Sequence, residues 1–391
     1  MSVKKIGLVR QRYTPFGGAE RIVARSISAL HSAGWEVQLF TREWSAQAQE
    51  KNAELPDAVS VCNPRYLTKV GREKSFAEAV HAAVHVAQQR AELALVQTHE
   101  RIPGFDIYRA GDGVHATWLE LSAQAVGKDH LLLRQRLNPF HHYLLKAERA
   151  LFTHAKLKAV ICNSHMVQQD IHQRFGLPLD KLPIIRNGVD SSYFQPAPDG
   201  DAQRHQLCDA LDIPAHAKVF LMVGSGFSRK GVGRALAAWP SLPPNAYLVI
   251  VGDDRQRKRY QQAAKRDVRI HSRIKFVGPQ TDVRAWYHLA DCFLLPTLYD
   301  PFPNAALEAM ASGLPVITTS TCGAAEWLTP QTGWVVPPTD ARALQQALAE
   351  ACALSHVELH TRGAQARALV TPYSLERFGQ ELQALYERLP I

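Results

Sequence analysis

The chain has 391 residues, of which 46% are apolar and 21% are charged, and its formal net charge is +9. This length is too great for one ordinary hydrophobic core and fits two domains, while the apolar content argues against extensive disorder. The basic balance favours anionic partners such as nucleotides, phosphorylated glycans, anionic membranes or nucleic acid, and it does not choose among them.

The sequence predicts no signal peptide, no transmembrane helix and no metal site. The apolar run near the N-terminus is too short for a signal peptide and is followed at once by Arg10 and Arg12. No stretch approaches roughly 18 uninterrupted apolar residues, so a transmembrane helix is not expected. The six cysteines are scattered without a CxxC pair, which argues against zinc and against a disulfide framework. We therefore expect a protein of the reducing cytoplasm.

The first half of the chain alternates short apolar runs with amphipathic stretches. Such alternation of strand and helix patterns predicts a parallel sheet covered by helices on both faces. The predicted strands are Lys5–Val9, Glu36–Phe40, Leu93–Thr98 and Leu157–Cys162, and the predicted helices include Ala19–Ser32 and Phe76–Ala91.

A second series of strands begins near residue 217 and predicts a second sheet. The dipeptide Asn187-Gly188 and a polar tract over 195–203 separate the two series. We predict an α/β chain of two Rossmann-like, doubly wound domains that face a central cleft, with ligands at the carboxyl ends of the strands. The later elements are strands Lys218–Val223, Tyr247–Val251, Ile274–Val277, Cys292–Leu295 and Pro315–Thr318, and helices Ala341–Ala353 and Leu375–Arg388.

The first motif, Pro15–Arg21, follows the first predicted strand. Its glycines, Gly17 and Gly18, allow the backbone to approach a ligand closely, and the next helix points free amides at that position. This arrangement suits a phosphate oxygen. A plain strand-to-helix turn explains the same run equally well.

The second motif, Gly224–Gly231, directly follows the predicted strand Lys218–Val223. Gly224 and Ser225 open a glycine-rich turn that leads to Arg229 and Lys230, so backbone amides and two cations can hold a diphosphate. The spacing fits neither the GxGxxG dinucleotide fingerprint nor a Walker A loop. The alternative is a solvated Arg-Lys pair at a helix start.

The third motif, Tyr299–Val316, is the most informative one. Pro303 and Asn304 predict a helix start, Ala305–Ala311 a helix, and Gly313 its end. Free amides near Asn304 can then face a diphosphate.

Two carboxylates stand eight positions apart in this third motif. Asp300 falls in the loop before the helix and Glu308 within it, so both are predicted to reach one ligand at the helix N-terminus. A carboxylate can accept two hydrogen bonds from a ribose diol. The alternative is an acidic loop followed by a surface-facing Glu308.

Asp112 stands between two glycines and follows the strand that ends near His99. A turn of this kind can face a cleft, although a lone Asp-Gly turn is more often structural. The pair Asp253-Asp254 also follows a strand. It suggests a metal dyad, and we interpret it as structural.

Residues 128–158 form a basic amphipathic segment with seven Lys or Arg residues against two acids. Such a segment can lie on an anionic bilayer surface. The alternative is a helix pair packed on the first domain with a solvated basic face. We expect reversible, salt-sensitive attachment to the cytoplasmic face of the plasma membrane.

Four runs together resemble the motifs of glycosyltransferase family 4, the group 1 glycosyltransferases with the GT-B fold. The string from Asp300 to Glu308 is similar to the E-x7-E signature of that family, with Asp300 in place of the first Glu. Several runs are also similar to the lipopolysaccharide core glucosyltransferases of bacteria, which act on heptose. The four runs are Gly17–Arg21, Arg186–Asp190, Gly224–Lys230 and Asp300–Glu308, and the further runs are Pro15–Gly18, Pro103–Tyr108, Gly224–Val232 and Thr321–Gly323.

This resemblance implies a retaining, metal-independent transferase without a cofactor. Its donor would be a nucleotide-diphosphate sugar, with UDP-glucose expected, and its acceptor a lipopolysaccharide core sugar or another lipid-linked glycan. It also implies an acceptor-binding domain over 1–188, a donor-binding domain over 189–370, and a helix over 371–391 that returns to the first domain.

The resemblance further implies roles for individual residues. Arg229 and Lys230 would hold the donor diphosphate, and Glu308 would bind the ribose. The loop Val277–Asp282 would hold the base. The catalytic set would be Asp112, Arg229, Lys230 and Asp300, with His99 and Asp112 facing the transferred sugar or acceptor, and the donor-binding set would add Gly17, Gly18, Gly224, Ser225, Phe302, Pro303 and Asn304.

Other functions stay open from the sequence. These are transfer from UDP-GlcNAc, UDP-galactose or a uronate donor into O-antigen or another surface glycan, a nucleotide-sugar epimerase or phosphorylase, a glycosidase with Asp300 and Glu308 as its acid pair, and a non-catalytic binding module. Nucleic acid is not an expected partner, because no recognition helix or aromatic-basic motif is present. No protein nucleophile is evident, which favours same-face substitution over a covalent intermediate.

Overall fold

The computed structural model describes residues 4–12, 18–44, 55–90, 93–125, 137–198 and 202–390, without the side chains of residues 18–21. The chain forms two compact units. The N-terminal unit comprises Met1–Gly188 together with Leu375–Ile391, and the C-terminal unit comprises Val189–Ser374.

The N-terminal unit is built on a six-stranded sheet in which all neighbouring strands are parallel. The strands are β1 (Lys4–Val9), β2 (Trp35–Thr41), β3 (Ala58–Val61), β4 (Leu95–Thr98), β5 (Ile107–Arg109) and β6 (Ala159–Ile161). Their order is β3-β2-β1-β4-β5-β6, so the direction of winding reverses between β1 and β4. The central strands are apolar and buried because helices cover both faces.

Helices α1 (Gly18–Ser32), α2 (Lys69–Gln89), α3 (His115–Gln124), α4 (Pro139–Phe152) and α5 (His165–Phe175) surround this sheet. The C-terminal helix, Leu375–Arg388, packs against α1. Its buried face repeats every three or four residues, as expected for an amphipathic helix. That face consists of Phe378, Leu382, Leu385 and Tyr386.

The C-terminal unit has a second six-stranded parallel sheet. The strands are β7 (Lys218–Val223), β8 (Ala246–Val251), β9 (Ile274–Gly278), β10 (Cys292–Leu295), β11 (Val316–Thr319) and β12 (Gly333–Val336). Their order is β12-β11-β10-β7-β8-β9, so the winding direction reverses between β7 and β10.

Eight α-helices accompany this sheet among the described residues. One of them, Asn304–Ala311, is buried over its last six residues, because four of its eight side chains are alanine and allow neighbours to approach closely. The helices are α6 (Ala202–Ala210), α7 (Phe227–Lys230), α8 (Val232–Ala238), α9 (Arg257–Arg266), α10 (Arg284–Leu289), α11 (Asn304–Ala311), α12 (Ala341–Ala353) and α13 (His356–Val370).

The prediction of two doubly wound parallel sheets is confirmed. Two predicted strands, Lys218–Val223 and Cys292–Leu295, and two predicted helices have the observed bounds. Strands β3, β5 and β12 were not predicted. They contain only three or four residues, which is too short for a clear hydrophobic pattern, and β3 and β12 are half-exposed edge strands.

None of the helices in the described part of the chain combines the length and the hydropathy that crossing a bilayer requires.

Candidate functional site

The second and third motifs lie at the carboxyl ends of β7 and β10, which are neighbours in the C-terminal sheet. The turn Gly224–Gly226 follows β7 and leads into α7, while Asp300 lies beyond the end of β10. Because the winding reverses between these strands, this edge of the sheet is the position where doubly wound folds bind ligands. The fold therefore brings two distant motifs to one candidate site.

Asp300 pairs with both cations of the second motif. Arg229 Nη1 lies 2.7 Å from Asp300 Oδ2, and Lys230 Nζ lies 3.7 Å from the same oxygen. The side chains of Asp300 and Lys230 are 9% and 12% exposed, whereas that of Arg229 is 40% exposed. Burial lowers the pKa of Lys230, and the Asp300 carboxylate opposes that shift. Three of the four predicted catalytic residues thus form one cluster.

Gly224 determines where the Lys230 side chain lies. Its φ angle is +126°, and a Cβ added there would stand 2.7 Å from Lys230 Cε. A side chain at this position would be strained and would also displace the lysine. The glycine therefore allows the lysine side chain to cross the turn and reach Asp300.

The backbone of Asp300 is anchored by the run Thr321–Gly323. Its N–H donates to the carbonyl of Thr321 at 3.1 Å, and its own carbonyl accepts from Gly323 N at 2.9 Å. A Cβ on Gly323 would stand 1.8 Å from the Pro301 carbonyl oxygen, so only glycine fits. This run holds the acidic loop in place.

Asp254 braces the glycine-rich turn from the other side. Its Oδ2 accepts from the backbone N–H of Phe227, the first residue of α7, at 3.2 Å, and its Oδ1 accepts from Gln256 N at 2.7 Å. Asp253 forms a longer pair with Arg257 at 3.7 Å. In the described ranges no group of three or more His, Cys, Asp or Glu side chains could hold a metal ion. These contacts give Asp254 a structural role.

Helix α11 begins as the sequence predicts, with Pro303 as its cap residue and Asn304 as its first helical residue. Pro303 supplies no side-chain acceptor for the first amides, which leaves the helix start suited to an anion. The ring of Phe302 is buried and packs edge-on against Trp327 at 4.8 Å. The exposed Ser225 lies in the turn after β7.

Glu308 is buried under α11 and is 2% exposed. Its Oε2 accepts a hydrogen bond from the hydroxyl of Tyr287 on α10 at 2.9 Å. Asp300 is also buried, at 6% exposure. The alternative of an acidic loop with a surface-facing Glu308 is therefore wrong. Tyr287, which no sequence motif indicated, orients the Glu308 carboxylate.

The loop Val277–Asp282, predicted to hold a base, follows the edge strand β9. Its residues from 279 to 282 are exposed. Gln280 donates to the carbonyl of Val277 at 3.2 Å, and Asp282 pairs with Arg284 at 2.5 Å.

His99 follows β4 in the N-terminal unit, next to the point where the winding of that sheet reverses. Its Nε2 lies 3.0 Å from Nε2 of Gln97, whose Oε1 accepts from the hydroxyl of Tyr386 at 2.7 Å. Burial lowers the pKa of His99 well below its usual range, and the charges of Arg109 and Arg10 add to the shift. A neutral ring that accepts at Nε2 carries its proton on Nδ1.

Asp112 is exposed in the turn between β5 and α3. The turn is held by the backbone bond from Gly113 N to the Ala110 carbonyl, at 3.1 Å. Arg101 also donates to the carbonyl of Gly113 at 2.9 Å. Asp112 therefore projects from a braced turn.

Arg101 in turn pairs with Glu148, a residue that sequence reasoning did not identify as functional. Arg101 Nε lies 3.1 Å from Glu148 Oε1, and the two side chains are 15% and 2% exposed. Glu148 also accepts from the backbone N–H groups of His115 at 2.7 Å and Ala116 at 3.3 Å. It caps α3, whose cap residue Val114 has no capping side chain. The sequence feature that could have identified Glu148 is that it is an acidic residue in the otherwise basic helix α4.

The first motif is described only in part. Gly18 is the first residue of α1, which follows β1. Gly17 and residues 13–16 lie outside the described residues, so the predicted contact of this motif with phosphate stays a prediction.

The basic segment 128–158 is described from residue 137 onward. Within α4, Lys146 and Arg149 are exposed, while Leu151 and Phe152 are buried. Lys158 pairs with Asp106 at 3.1 Å. The described part therefore packs one face on the unit and presents a basic face outward. Residues 128–136 lie outside the described residues.

Comparisons with known proteins give a consistent result. A family model described as "Glycosyl transferases group 1" matches residues 217–353, and one described as "Glycosyltransferase Family 4" matches residues 16–193. The lipopolysaccharide glucosyltransferase WaaG of Escherichia coli (strain K12) is 27% identical over 323 residues, which cover 81% of this chain and 80% of that protein.

Solved structures share the fold, and two of them illustrate the likeness. The crystal structure of WaaG, a glycosyltransferase involved in lipopolysaccharide biosynthesis, has a TM-score of 0.79 at 24% identity and covers 97% of this chain and 99% of that one. Anabaena Alr3699/HepE in complex with UDP and glucose has a TM-score of 0.72 at 18% identity, covering 99% of this chain and all of that one. The predicted GT-B fold is confirmed, and the chain belongs to the group 1 glycosyltransferases of family 4 and is a transferase.

Proposed function

We propose that this chain transfers a hexose, with retention of anomeric configuration and without a metal ion, from a UDP-sugar to a sugar of the lipopolysaccharide core. Glucose is the proposed hexose and heptose the proposed acceptor. WaaG, which is named as a lipopolysaccharide glucosyltransferase, supports lipopolysaccharide as the acceptor class and glucose as the hexose. The complex of Alr3699/HepE with UDP and glucose supports the donor.

The observation that carries the proposal is the cluster of Arg229, Lys230 and Asp300 beside the glycine-rich turn. The cluster places the guanidinium of Arg229 and the ammonium of Lys230 together at the end of β7, where both contact the Asp300 carboxylate. A nucleotide diphosphate is an anion that two neighbouring cations and the amides at a helix start can bind. Cations positioned before the reaction stabilise the leaving group without further reorganisation, which is usually the largest catalytic contribution.

Each part of the donor would contact a different set of residues in the C-terminal unit. Its diphosphate would bind Arg229, Lys230 and the start of α11, while its ribose hydroxyls would bind Glu308 with the carboxylate oriented by Tyr287. Gly224, Ser225, Phe302 and Pro303 would supply the surrounding backbone. In the N-terminal unit, Asp112 and neutral His99 would contact the transferred sugar or the acceptor hydroxyl.

The proposed step is a same-face substitution. The bond between the anomeric carbon and the diphosphate oxygen breaks, the acceptor oxygen bonds to the same face, and its proton goes to the departing phosphate oxygen. Asp300 is a poor nucleophile here, because two cations hold its carboxylate. A covalent sugar trapped on Asp300 or Asp112 would replace this mechanism with double displacement.

We also propose that the enzyme works at the cytoplasmic face of the plasma membrane, where its acceptor would be a lipid-linked glycan. The exposed cations Lys146 and Arg149 on α4 support contact of residues 128–158 with an anionic surface. Vesicle binding that is insensitive to salt would contradict this electrostatic attachment.

The test is nucleoside diphosphate release from each candidate donor, in EDTA, with a truncated lipopolysaccharide acceptor. We expect release from UDP-glucose that requires the acceptor and falls roughly 10²–10³-fold in Lys230→Ala. Lys74→Ala, which removes an exposed lysine of the N-terminal unit, is the matched control and should keep full activity.

Other outcomes correct the proposal in defined ways. Release from UDP-GlcNAc, UDP-galactose or a uronate donor would change the sugar. A new sugar nucleotide formed without acceptor would indicate an epimerase. Strict dependence on a divalent ion, or no release with any donor, would refute the mechanism.

A further inference from the structure

The net charge of the chain is concentrated in one segment. Residues 255–275 contain nine of the 45 Lys and Arg residues and one of the 36 acidic residues, a net charge of +8. The remaining 370 residues contain 36 basic and 35 acidic side chains, a net charge of +1. The basic character of the protein is therefore a property of this segment, which lies outside residues 128–158.

The structure places this charge on an outer face of the C-terminal unit. The segment includes helix α9 and leads into β9, the edge strand of the sheet. The inner side of α9 is formed by buried Ala264 and half-buried Tyr260. The exposed cations form what we name the α9 surface: Arg255, Lys258, Arg259, Lys265, Arg266 and Arg269.

These cations contribute little to the stability of the C-terminal unit. Helix α9 has no acidic residue, and Arg257, Lys258 and Arg259 stand in its first turn, where the helix dipole disfavours cations. In the part of the chain that the structure describes, no carboxylate lies within ion-pair distance of Lys258, Arg259, Lys265 or Arg266. An external array of negative charge would offset this electrostatic cost.

We propose that the α9 surface binds an anionic lipid bilayer. Several exposed cations on one face match a continuous sheet of negative headgroups. Val268, 80% exposed between Arg266 and Arg269, adds an aliphatic side chain that can enter the headgroup boundary. Nucleic acid fits less well, because the aromatic side chain of this segment, Tyr260, is half-buried against the unit and single strands need exposed rings for stacking.

The experiment is sedimentation of the full chain with phosphatidylcholine vesicles, prepared with and without phosphatidylglycerol. The variant removes four cations of the α9 surface: Lys258→Gln, Arg259→Gln, Lys265→Gln and Arg266→Gln. Each cation near an anionic surface contributes a factor of about five, so the variant should lose ~10²-fold or more in partition to the anionic vesicles. Phosphatidylcholine vesicles should bind neither protein.

The matched control removes the same charge from exposed positions of the N-terminal unit: Arg65→Gln, Lys74→Gln, Arg90→Gln and Arg388→Gln. It should retain most of the vesicle binding. Equal losses in both variants would overturn the proposal, as would full binding by the α9 variant. Binding of the unmodified chain to single-stranded RNA, with no binding to anionic vesicles, would also overturn it. The proposal does not rest on the proposed reaction, because the α9 variant should keep nucleoside diphosphate release with a soluble acceptor.

Discussion

Each unit contains a buried carboxylate paired with arginine: Glu148 in the N-terminal unit and Asp300 in the C-terminal unit. Glu148 also accepts two backbone N–H groups at the start of α3, so its partners belong permanently to the fold. Both side-chain partners of Asp300 stand at the end of the short helix α7, directly after the glycine-rich turn, and one of them, Arg229, is 40% exposed.

This difference distinguishes an ion pair that stabilises the fold from one that the proposed donor would open. Replacing the partners of Glu148 would undo a helix cap. If the proposed diphosphate binds, moving Arg229 from Asp300 to it would exchange one anion for another and leave the backbone in place. Burial alone therefore does not separate the two carboxylates. What separates them is that Glu148 accepts from backbone N–H groups, whereas the carboxylate of Asp300 contacts two side-chain cations.

The largest effect expected from this comparison is on stability, at Glu148. Removing its carboxylate in Glu148→Ala leaves Arg101 buried without its partner and α3 without its cap. Breaking a buried pair in this way costs about 3–5 kcal/mol. Urea denaturation followed by circular dichroism measures the loss.

The control for Glu148 is Glu120→Ala in the same unit. Glu120 pairs with Arg174 at 2.8 Å, but both side chains are 30% exposed. Exposed pairs contribute about 1 kcal/mol or less. Similar losses in the two variants would show that burial and capping add nothing at Glu148.

For Asp300→Asn we expect the larger effect on activity and the smaller effect on stability, in contrast to Glu148→Ala. The amide keeps the volume of the side chain, and its oxygen can still accept a hydrogen bond from Arg229 or from the largely buried Lys230, so the unfolding free energy should fall by about 1–3 kcal/mol, less than in Glu148→Ala. In contrast, kcat/KM should fall roughly 10–100-fold, because two cations lose the carboxylate that aligns them. Asp300→Glu, which introduces the residue usual in the family signature, should retain more activity than the amide.

How far the sequence predicts this site is seen at Asp300 and Glu308. The third motif predicted both acids and the helix start at Asn304, and the second motif predicted the cations, because glycine and proline mark turns and the winding rule fixes which strand ends meet. It did not predict Tyr287, since a tyrosine on another helix contacts Glu308 only through tertiary packing. The same limit applies to Glu148, whose donors lie 32 or more residues away in the chain.

The Glu148 cluster also predicts a dependence of stability on pH. His115, whose backbone N–H donates to Glu148, is 9% exposed, and burial lowers the pKa of its ring to about 3, with the Arg101 and His141 charges adding to the shift. The unfolded chain binds the proton near pH 6.5. Stability is therefore fully present above that pH and is lost as the pH falls toward 3.

Between about pH 6.5 and about pH 5 this one histidine should cost about 2 kcal/mol. Comparing urea midpoints at the two pH values measures the loss, and His115→Gln should remove that share of it. An unchanged pH dependence in the variant would assign the acid sensitivity to other groups, such as His99.

The smallest predicted effect lies at Tyr287. Tyr287→Phe removes the hydroxyl that donates to Glu308 Oε2 at 2.9 Å and leaves the ring in the core. Loss of one buried hydrogen bond costs about 0.5–1.5 kcal/mol. If Glu308 binds the donor ribose before and during transfer alike, this cost should appear as a roughly 2–10-fold rise in donor KM with kcat unchanged, because interactions of equal strength in both states change KM alone.

Tyr247→Phe on β8 is the control, since it alters a half-buried tyrosine outside the proposed site. A fall in kcat without a change in KM would instead place the Glu308 carboxylate in the transition state, and the two ionic centres would then differ in their chemistry as well as in the origin of their hydrogen-bond donors.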